Sequence, residues 1–402
     1  MNNKKVILAY SGGLDTSVIL KWLINKGYDV VCCIADVGQQ EDFSKAKEKA
    51  LKIGAVKVYV EDLKKEFVED YIFQALKANA IYEGTYMLGT ALARPLIAKA
   101  QIEVAKKEST NLVSHGATGK GNDQVRFEQT YMALMHDVEI IAPWKDKEFL
   151  SRFKGRSDLI AFAQAEGIPV EATLEKPYSI DDNIWNISYE SGELENPKFE
   201  PEDKMFKMTV SPNDAPDKET KLTIEFKKGI PVSVSCDGKK VVGSVEIVSY
   251  LNELGAKNGI GRSNSVENRI TGMKGREVYE TPAGSILHKA HFDLEGLVLD
   301  REVHHLKILF SSMISKLIFN GFWFGPELKF LMAAIEESQK KLNGKVFMKL
   351  YKGNVIITGR ESENSLYSES LVSMDKLGDY DQTDAKGFIK VNAVRLRLNA
   401  LK

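Results

Sequence analysis

The chain is poor in cysteine, with three in 402 residues. Cys32 and Cys33 are adjacent inside an apolar run, and Cys236 is distant. No CxxC spacing occurs, which argues against a zinc knuckle or a redox pair and leaves buried, reduced thiols. A charge excess is missing too. Lys+Arg (55) and Asp+Glu (56) nearly cancel, for a formal net charge of -1. A non-specific nucleic-acid binder needs a basic excess or a basic run, and neither is found. No stretch approaches the ~18 apolar residues of a membrane span. The apolar run at 6–10 is too short for a signal-peptide core. These absences imply a cytoplasmic protein with neither nucleic-acid nor membrane partners. The six histidines form no HExxH pattern. His288 and His291, and the adjacent His304 and His305, read as ordinary core or surface residues, and no protein ligand for a metal is assigned. Internal repeats and low-complexity tracts are lacking.

What is present is a globular composition, 43% hydrophobic and 28% charged, on a chain too long for one ordinary core. Val6-Ile7-Leu8-Ala9-Tyr10 is a continuous apolar run, as expected of a strand buried on both faces. A glycine-rich turn follows. Val18, Ile19, Trp22 and Leu23 then recur at helical spacing, ending at Gly27. Residues 30–35, 56–60, 112–113 and 138–142 read as further strands. Phe43, Ala46, Ala50 and Ile53 mark a second helix, and 64–77 a third. Such alternation predicts an α/β fold, a parallel sheet wound by helices, over residues 1–167. Ligands on such sheets sit beyond the carboxyl ends of the strands. From residue 168 to 360 the pattern becomes α+β. Prolines cluster at 169, 177, 197, 201, 212 and 216, with short alternating runs at 204–210, 221–226 and 232–236. Helical patterns follow at 287–342, then a hairpin at 345–360 around Lys352-Gly353-Asn354. Residues 361–402 form a polar tail ending in an amphipathic helix over 385–401, suited to docking on another subunit. Arg395 and Arg397 read as part of a solvated or interface face of it. Phe319, Phe322, Trp323 and Phe324 read as core or subunit packing.

The sharpest local feature is Ser11-Gly12-Gly13-Leu14-Asp15-Thr16-Ser17, between the first strand and the first helix. Two glycines allow a tight turn and close backbone approach. The helix aims free N–H groups and its positive end at the loop, and three hydroxyls add donors. This predicts a phosphate or pyrophosphate site, unless the segment is a plain turn capped by Asp15 or Thr16. No Gly-Lys-Ser/Thr closes it, so it is not a Walker A loop. A second loop runs Ser114-His115-Gly116-Ala117-Thr118-Gly119-Lys120-Gly121-Asn122-Asp123-Gln124-Val125-Arg126-Phe127-Glu128. Asp123 could hold an ammonium, and Asn122 and Arg126 carboxylate or ureido oxygens. The plainer reading is a connection that leaves Arg126 and Glu128 on a solvated helix face.

The first loop resembles the PP-loop of ATP pyrophosphatases, a group that includes GMP, asparagine and NAD synthetases and tRNA-thiolating enzymes. Taken with Ala35-Asp36-Val37-Gly38-Gln39, residues 115–128, Pro177-Tyr178-Ser179-Ile180-Asp181, Ile187-Ser188-Tyr189-Glu190, Val266-Glu267-Asn268-Arg269 and Tyr279-Glu280-Thr281-Pro282, it resembles the argininosuccinate synthase family. These motifs fall in order from about residue 6 to the C-terminus. The resemblance implies that Ala9, Tyr10, Ser11, Gly12, Gly13, Leu14, Asp15, Thr16 and Ser17, with Ala35 and Gly116, bind ATP, with Mg²⁺ at the phosphates. Thr118, Asn122 and Asp123 would bind aspartate. Tyr86, Asn122, Arg126, Ser179, Ser188, Glu267 and Tyr279 would surround citrulline. Asp15, Asp123 and Arg126 would carry the chemistry, with Asp123 orienting the aspartate amine. The implied reaction forms a citrullyl-adenylate and then argininosuccinate, releasing pyrophosphate and AMP, in a homotetramer. Departures from the family pattern are Asn264 for Asp, Gly275 for Ser, and Trp144-Lys145-Asp146-Lys147 for Trp-Arg-Asp. Two other functions stay open: a different PP-loop synthetase, for which glutaminase or thiolase residues are missing, and a non-catalytic adenine-nucleotide sensor, which would not need Asn122, Asp123, Arg126 and Glu267 together.

Overall fold

The computed structural model describes residues 4–169, 178–375 and 378–402. Pro177 lies outside them. β1 (Lys5–Ala9), β2 (Asp29–Asp36), β3 (Lys57–Asp62), β4 (Leu112–Ser114) and β5 (Glu139–Ile141) form one parallel sheet. The apolar runs are continuous because helices cover both faces. Val6, Leu8, Val30 and Cys32 meet Val18, Ile19 and Leu23 on one side. Ile7, Val31 and Cys33 meet Ala98, Ile102 and Tyr131 on the other. Val6, Ile7 and Leu8 are fully buried, each contributing about 2 kcal/mol. All three cysteines are free and buried.

The strand order is β3-β2-β1-β4-β5. The chain winds outward from β1 to β3, then returns to β4 beside β1. The direction reverses between β1 and β4, and the crevice for a ligand opens there. Residues 64–77 form one helical path in three pieces, with a π-turn at Phe67–Ile72 between Lys64–Glu66 and Phe73–Lys77. Tyr71, Ile72 and Phe73 are all buried. A wider turn advances less per residue and keeps successive apolar side chains on one side.

The second region holds two antiparallel sheets. β6 (Ser179–Asp182) and β7 (Ile187–Glu190) belong to one. β8 (Thr220–Lys227), β9 (Ile230–Cys236) and β10 (Lys239–Val241) belong to the other. β11 (Arg262–Asn268) and β12 (Lys274–Glu280) complete the first, in the order β11-β12-β7-β6. β13 (Gly344–Tyr351) and β14 (Asn354–Glu361) complete the second, in the order β10-β9-β8-β13-β14. Helices Ser244–Lys257 and Pro282–Val298 fill the space behind the second sheet with Ile247, Leu251, Ile286, Leu287 and Leu294. His288 and His291 are buried core residues of the latter helix, His291 between Asn79 and Gln339. The predicted helical stretch and terminal hairpin are present.

The strand expected at 204–210 is not. A short 3-10 turn at Asp203–Met205 stands there. The N–H groups of Lys207, Met208 and Thr209 point at the Glu280 carboxylate, at 3.0, 3.1 and 2.7 Å. Tyr189 Oη and Thr209 Oγ1 donate to it as well, at 2.5 and 2.6 Å. A fully buried anion needs such donors, and it takes the hydrogen bonds that a ladder would have used. The last helix, Asp384–Ala400, has no buried residue; Phe388, Ile389, Val391, Val394, Leu396 and Leu398 all face solvent.

Candidate active site

At the switch point the chain leaves β1 through Tyr10, whose N–H still reaches Cys33 O at 2.9 Å. Gly12 turns with φ +78°, and Gly13 opens the Leu14–Asn25 helix without a side-chain cap. The hydroxyls brace one another. Tyr10 Oη lies 3.1 Å from Ser17 Oγ, and Ser11 Oγ 3.1 Å from Thr16 Oγ1. Lys49 Nζ donates to Gly12 O at 2.7 Å. Asp15 sits in the first helical turn; burial raises its pKa above the usual carboxylate value. Across the crevice, Gly116 follows β4. A Cβ there would lie 3.2 Å from Thr16 Cγ2, so the two loops touch. His115 holds that turn. Its Nδ1 accepts from Ala117 N at 3.2 Å, and its Nε2 faces Glu128 Oε1 at 3.0 Å.

Ala35 is the penultimate residue of β2, and its carbonyl accepts from Gln39 Nε2 at 2.8 Å. The next turn is pinned to the second region: Ile184 N donates to Val37 O at 2.9 Å. Gly38 there has φ +92°, and a Cβ on it would fall 2.6 Å from Ile184 Cβ.

The second loop ends in the Asp123–Leu134 helix. Arg126 is buried, not solvated. Its Nε donates to Phe319 O at 2.9 Å and its Nη1 to Asp123 Oδ1 at 2.9 Å. Its Nη2 has no partner among the described residues. Asp123 Oδ2 also accepts from Arg94 Nε at 2.8 Å, and Arg94 bonds Asp181 in turn. Burial alone would raise the Asp123 pKa, but Arg94 and Arg126 outweigh it and the net shift is downward. Asn122 is buried, with Oδ1 accepting from Ile270 N at 3.0 Å. Thr118 and Lys120 are exposed on the loop.

Opposite stands one face of the sheet β11-β12-β7-β6. Side chains alternate along strands, and Tyr279 pairs with Ser188, which pairs with Asp181. One face therefore carries Ser179, Asp181, Ser188, Glu190, Glu277, Tyr279 and Glu267, while Ile187, Tyr189 and Val278 fill a small core behind it. Tyr86 stacks on Tyr279 with ring centroids 4.5 Å apart. Phe319 stacks on Tyr82 at 3.6 Å and lies under the Arg126 guanidinium at 5.0 Å. It is buried core packing beside the candidate site.

The expected citrulline residues thus fall into one region: Tyr86, Arg126, Ser188, Glu267 and Tyr279 close together, with Ser179 exposed further along the same face. Asn264 sits on the reverse face, where its Oδ1 accepts from Arg276 Nε at 3.1 Å. Gly275 sits on the pocket side under Arg269, and a Cβ would come within 2.4 Å of Arg269 Nε. A serine here would displace the guanidinium that pairs with Glu190 at 2.9 Å. Arg94 and Glu277 escaped the sequence reading, and Asp181, Glu190 and Arg269 stood in its motifs without a role. The signal available was Ser188-x-Glu190 and Glu277-x-Tyr279, two residues apart on strands and hence on one side.

A glycine loop at the switch point of a wound parallel sheet, facing a charged pocket on a second sheet, defines a nucleotide-dependent enzyme of two regions. The comparisons agree. Residues 5–169 match the model of the arginosuccinate synthase N-terminal HUP domain, and residues 178–399 that of the arginosuccinate synthase C-terminal domain. The chain is 56% identical to the argininosuccinate synthase of Thermotoga sp. (strain RQ2) over 400 residues, covering 99% of this chain and 98% of that one. It is 54% identical to that of Danio rerio over 399 residues, 99% and 96% of the two chains, and 51% identical to that of Mus musculus over 394 residues, 98% and 96%. The chain belongs to the argininosuccinate synthase family.

Proposed function

We propose that the protein ligates citrulline to aspartate with ATP, forming argininosuccinate, AMP and pyrophosphate in arginine biosynthesis. The observation that carries this reading is the buried Arg126 guanidinium, with Nη2 left over for a carboxylate, facing a sheet of hydroxyls and carboxylates suited to an amino-acid head group. The ureido oxygen of citrulline attacks the α-phosphorus. Residues 9–17 and Gly116 receive the phosphates, and Ala35 lines the adenosine. Backbone N–H groups and hydroxyls of the first loop meet the charge that builds on departing pyrophosphate; one such donor is typically worth ~3 kcal/mol. Among the described residues no group of three His, Cys, Asp or Glu could hold a metal. Mg²⁺ would therefore come with the phosphate oxygens, with Asp15 as the carboxylate beside the loop, and would neutralise charge there. The aspartate amine then attacks the activated carbon and expels AMP. Thr118, Asn122 and Asp123 hold aspartate. Tyr86, Asn122, Arg126, Ser179, Ser188, Glu267 and Tyr279 hold citrulline. Asp123, bound to two guanidiniums with its pKa lowered, orients the amine and is a poor base.

The test is product analysis with ATP and Mg²⁺, omitting citrulline and aspartate in turn. AMP, pyrophosphate and argininosuccinate are expected only with both amino acids. ADP formation, or turnover without citrulline, would overturn the assignment. Among the described residues no helix is long and apolar enough to cross a membrane, in keeping with a cytoplasmic enzyme. The bare apolar side chains of the last helix support a homo-oligomer, a tetramer in our reading. Ending the chain after Glu361 is expected to lower the number of subunits per particle measured by sedimentation; an unchanged subunit number would remove the helix from the interface.

A further inference from the structure

Glu267 and Glu277 share one phenol. Tyr279 Oη lies 2.7 Å from Glu267 Oε1 and 2.9 Å from Glu277 Oε2. A phenol has one hydrogen and can donate to only one of them. If both acids were ionised, the other contact would set oxygen against oxygen beside a buried ring. It becomes a hydrogen bond if that carboxyl group carries a proton and donates it to the phenol oxygen. Ser265 decides which acid does so. Its hydroxyl donates to Glu267 Oε1 at 2.9 Å, so Glu267 as an anion has two donors. Glu277 has the Arg269 guanidinium at 3.8 Å, and that group makes its shorter contact, 2.9 Å, with Glu190. The proton belongs on Glu277. Burial, and then the charges of Glu190 and Glu267, push its pKa up to about 8, in the same direction.

Glu190 faces Glu277 from β7, Glu267 from β11 and Arg269 from the turn after β11. Tyr86 stacks on Tyr279, and Arg126 approaches from the Asp123–Leu134 helix. Glu83, Asp123 and Asp181 act on these acids from further out. The nearby acids crowd one another, and crowded acids are relieved by a proton or by a cationic ligand.

We propose that Glu277 is a proton-holding residue of the citrulline pocket, neutral when the pocket is empty and ionised when the α-ammonium of citrulline enters beside Glu267. This rests on the function proposed above. The balance is simple: the carboxylic acid loses its proton to solvent, and the ammonium takes its place as the positive partner. Tyr279 then keeps its hydrogen on Glu267 while the ammonium serves Glu277. Protons compete with citrulline below the Glu277 pKa. Apparent citrulline affinity therefore rises up to about tenfold per pH unit as pH approaches that value, and levels off above it.

Calorimetric titration of citrulline into the full chain at pH 7, in phosphate and in Tris, tests this. The heats are expected to differ by the ionisation of about one buffer molecule per citrulline bound. In Glu277→Gln the amide can still donate to Tyr279, the buffer dependence should vanish, and the citrulline KM should be flat from about pH 6.5 to 8.5, where the parent falls. Citrulline binding with no buffer dependence in the parent, or an unchanged proton count in Glu277→Gln, would overturn the proposal alone. No citrulline binding at all would overturn the functional reading and this one with it.

Discussion

Asp123→Ala is expected to lower kcat/KM for aspartate by about 10²- to 10³-fold and to leave ATP affinity near that of the parent. The carboxylate is clamped by Arg94 and Arg126 at 2.8 and 2.9 Å. Removing one member of a buried ion pair costs up to about 3–5 kcal/mol, and less here because the Asp123 side chain is 30% exposed. Arg126 would lose the contact that fixes its fork, so the citrulline KM should rise as well. Among the described residues Asp123 bonds to Arg94 and Arg126 and to none of residues 9–17, and nucleotide binding should survive. Asp123→Asn separates shape from charge: if geometry alone mattered, it would act like the parent. The lowered pKa keeps Asp123 ionised across neutral pH, so its contribution is fully present above the ordinary carboxylate range and is lost only as pH falls through the depressed value. Steady-state kinetics with each substrate varied, beside nucleotide calorimetry, reads all of this. Near-normal aspartate turnover in Asp123→Ala would refute the role.

Gly12→Val is expected to abolish measurable ATP binding. Gly12 has φ +78°, a region that costs a branched residue of order 1–3 kcal/mol. A Cβ would stand 3.2 Å from Ala46 Cβ, so the second helix already closes one side. The remaining branches would fill the space in which backbone N–H groups must approach a phosphate. Gly12→Ala should fall between the two, with weakened but detectable binding. Calorimetry with ATP decides it, and parent-like affinity in the valine variant would remove the loop from the phosphate site.

The first half of the fold was legible because its signals are local. A run such as Val6-Ile7-Leu8 reads as a doubly covered strand, and Gly12-Gly13 before a helical stripe reads as a tight turn into a helix. The sheet β11-β12-β7-β6 was harder. Ser179, Asp181, Ser188 and Glu190 give its strands a polar face towards the pocket and short lengths, so neither apolar alternation nor β-propensity marks them. The reading at 204–210 failed for a related reason. Its alternation was sound, but Glu280, about seventy residues on, takes the backbone donors. Arg94 went unnoticed because its meaning lies in Asp123 and Asp181, which distant segments bring to it. Motif residues such as Asn122, Glu267 and Tyr279 could be named in advance, but the charge they share with Glu190 and Glu277 could not.

The contact between Gly38 and Ile184 has a metrical consequence. Ile184 lies in the turn between β6 and β7, the strands of Ser179 and Ser188, while Gly38 follows Ala35 at the proposed nucleotide edge. One missing side chain thus sets the spacing between the part that would present the α-phosphorus and the part that would present the ureido oxygen. Reactions between two held groups are steep in such spacing, and a shift of about 1 Å can cost on the order of a hundredfold in rate. Gly38 is in that sense a gauge block: it touches no reacting atom, yet the effective concentration of one substrate at the other depends on its thickness.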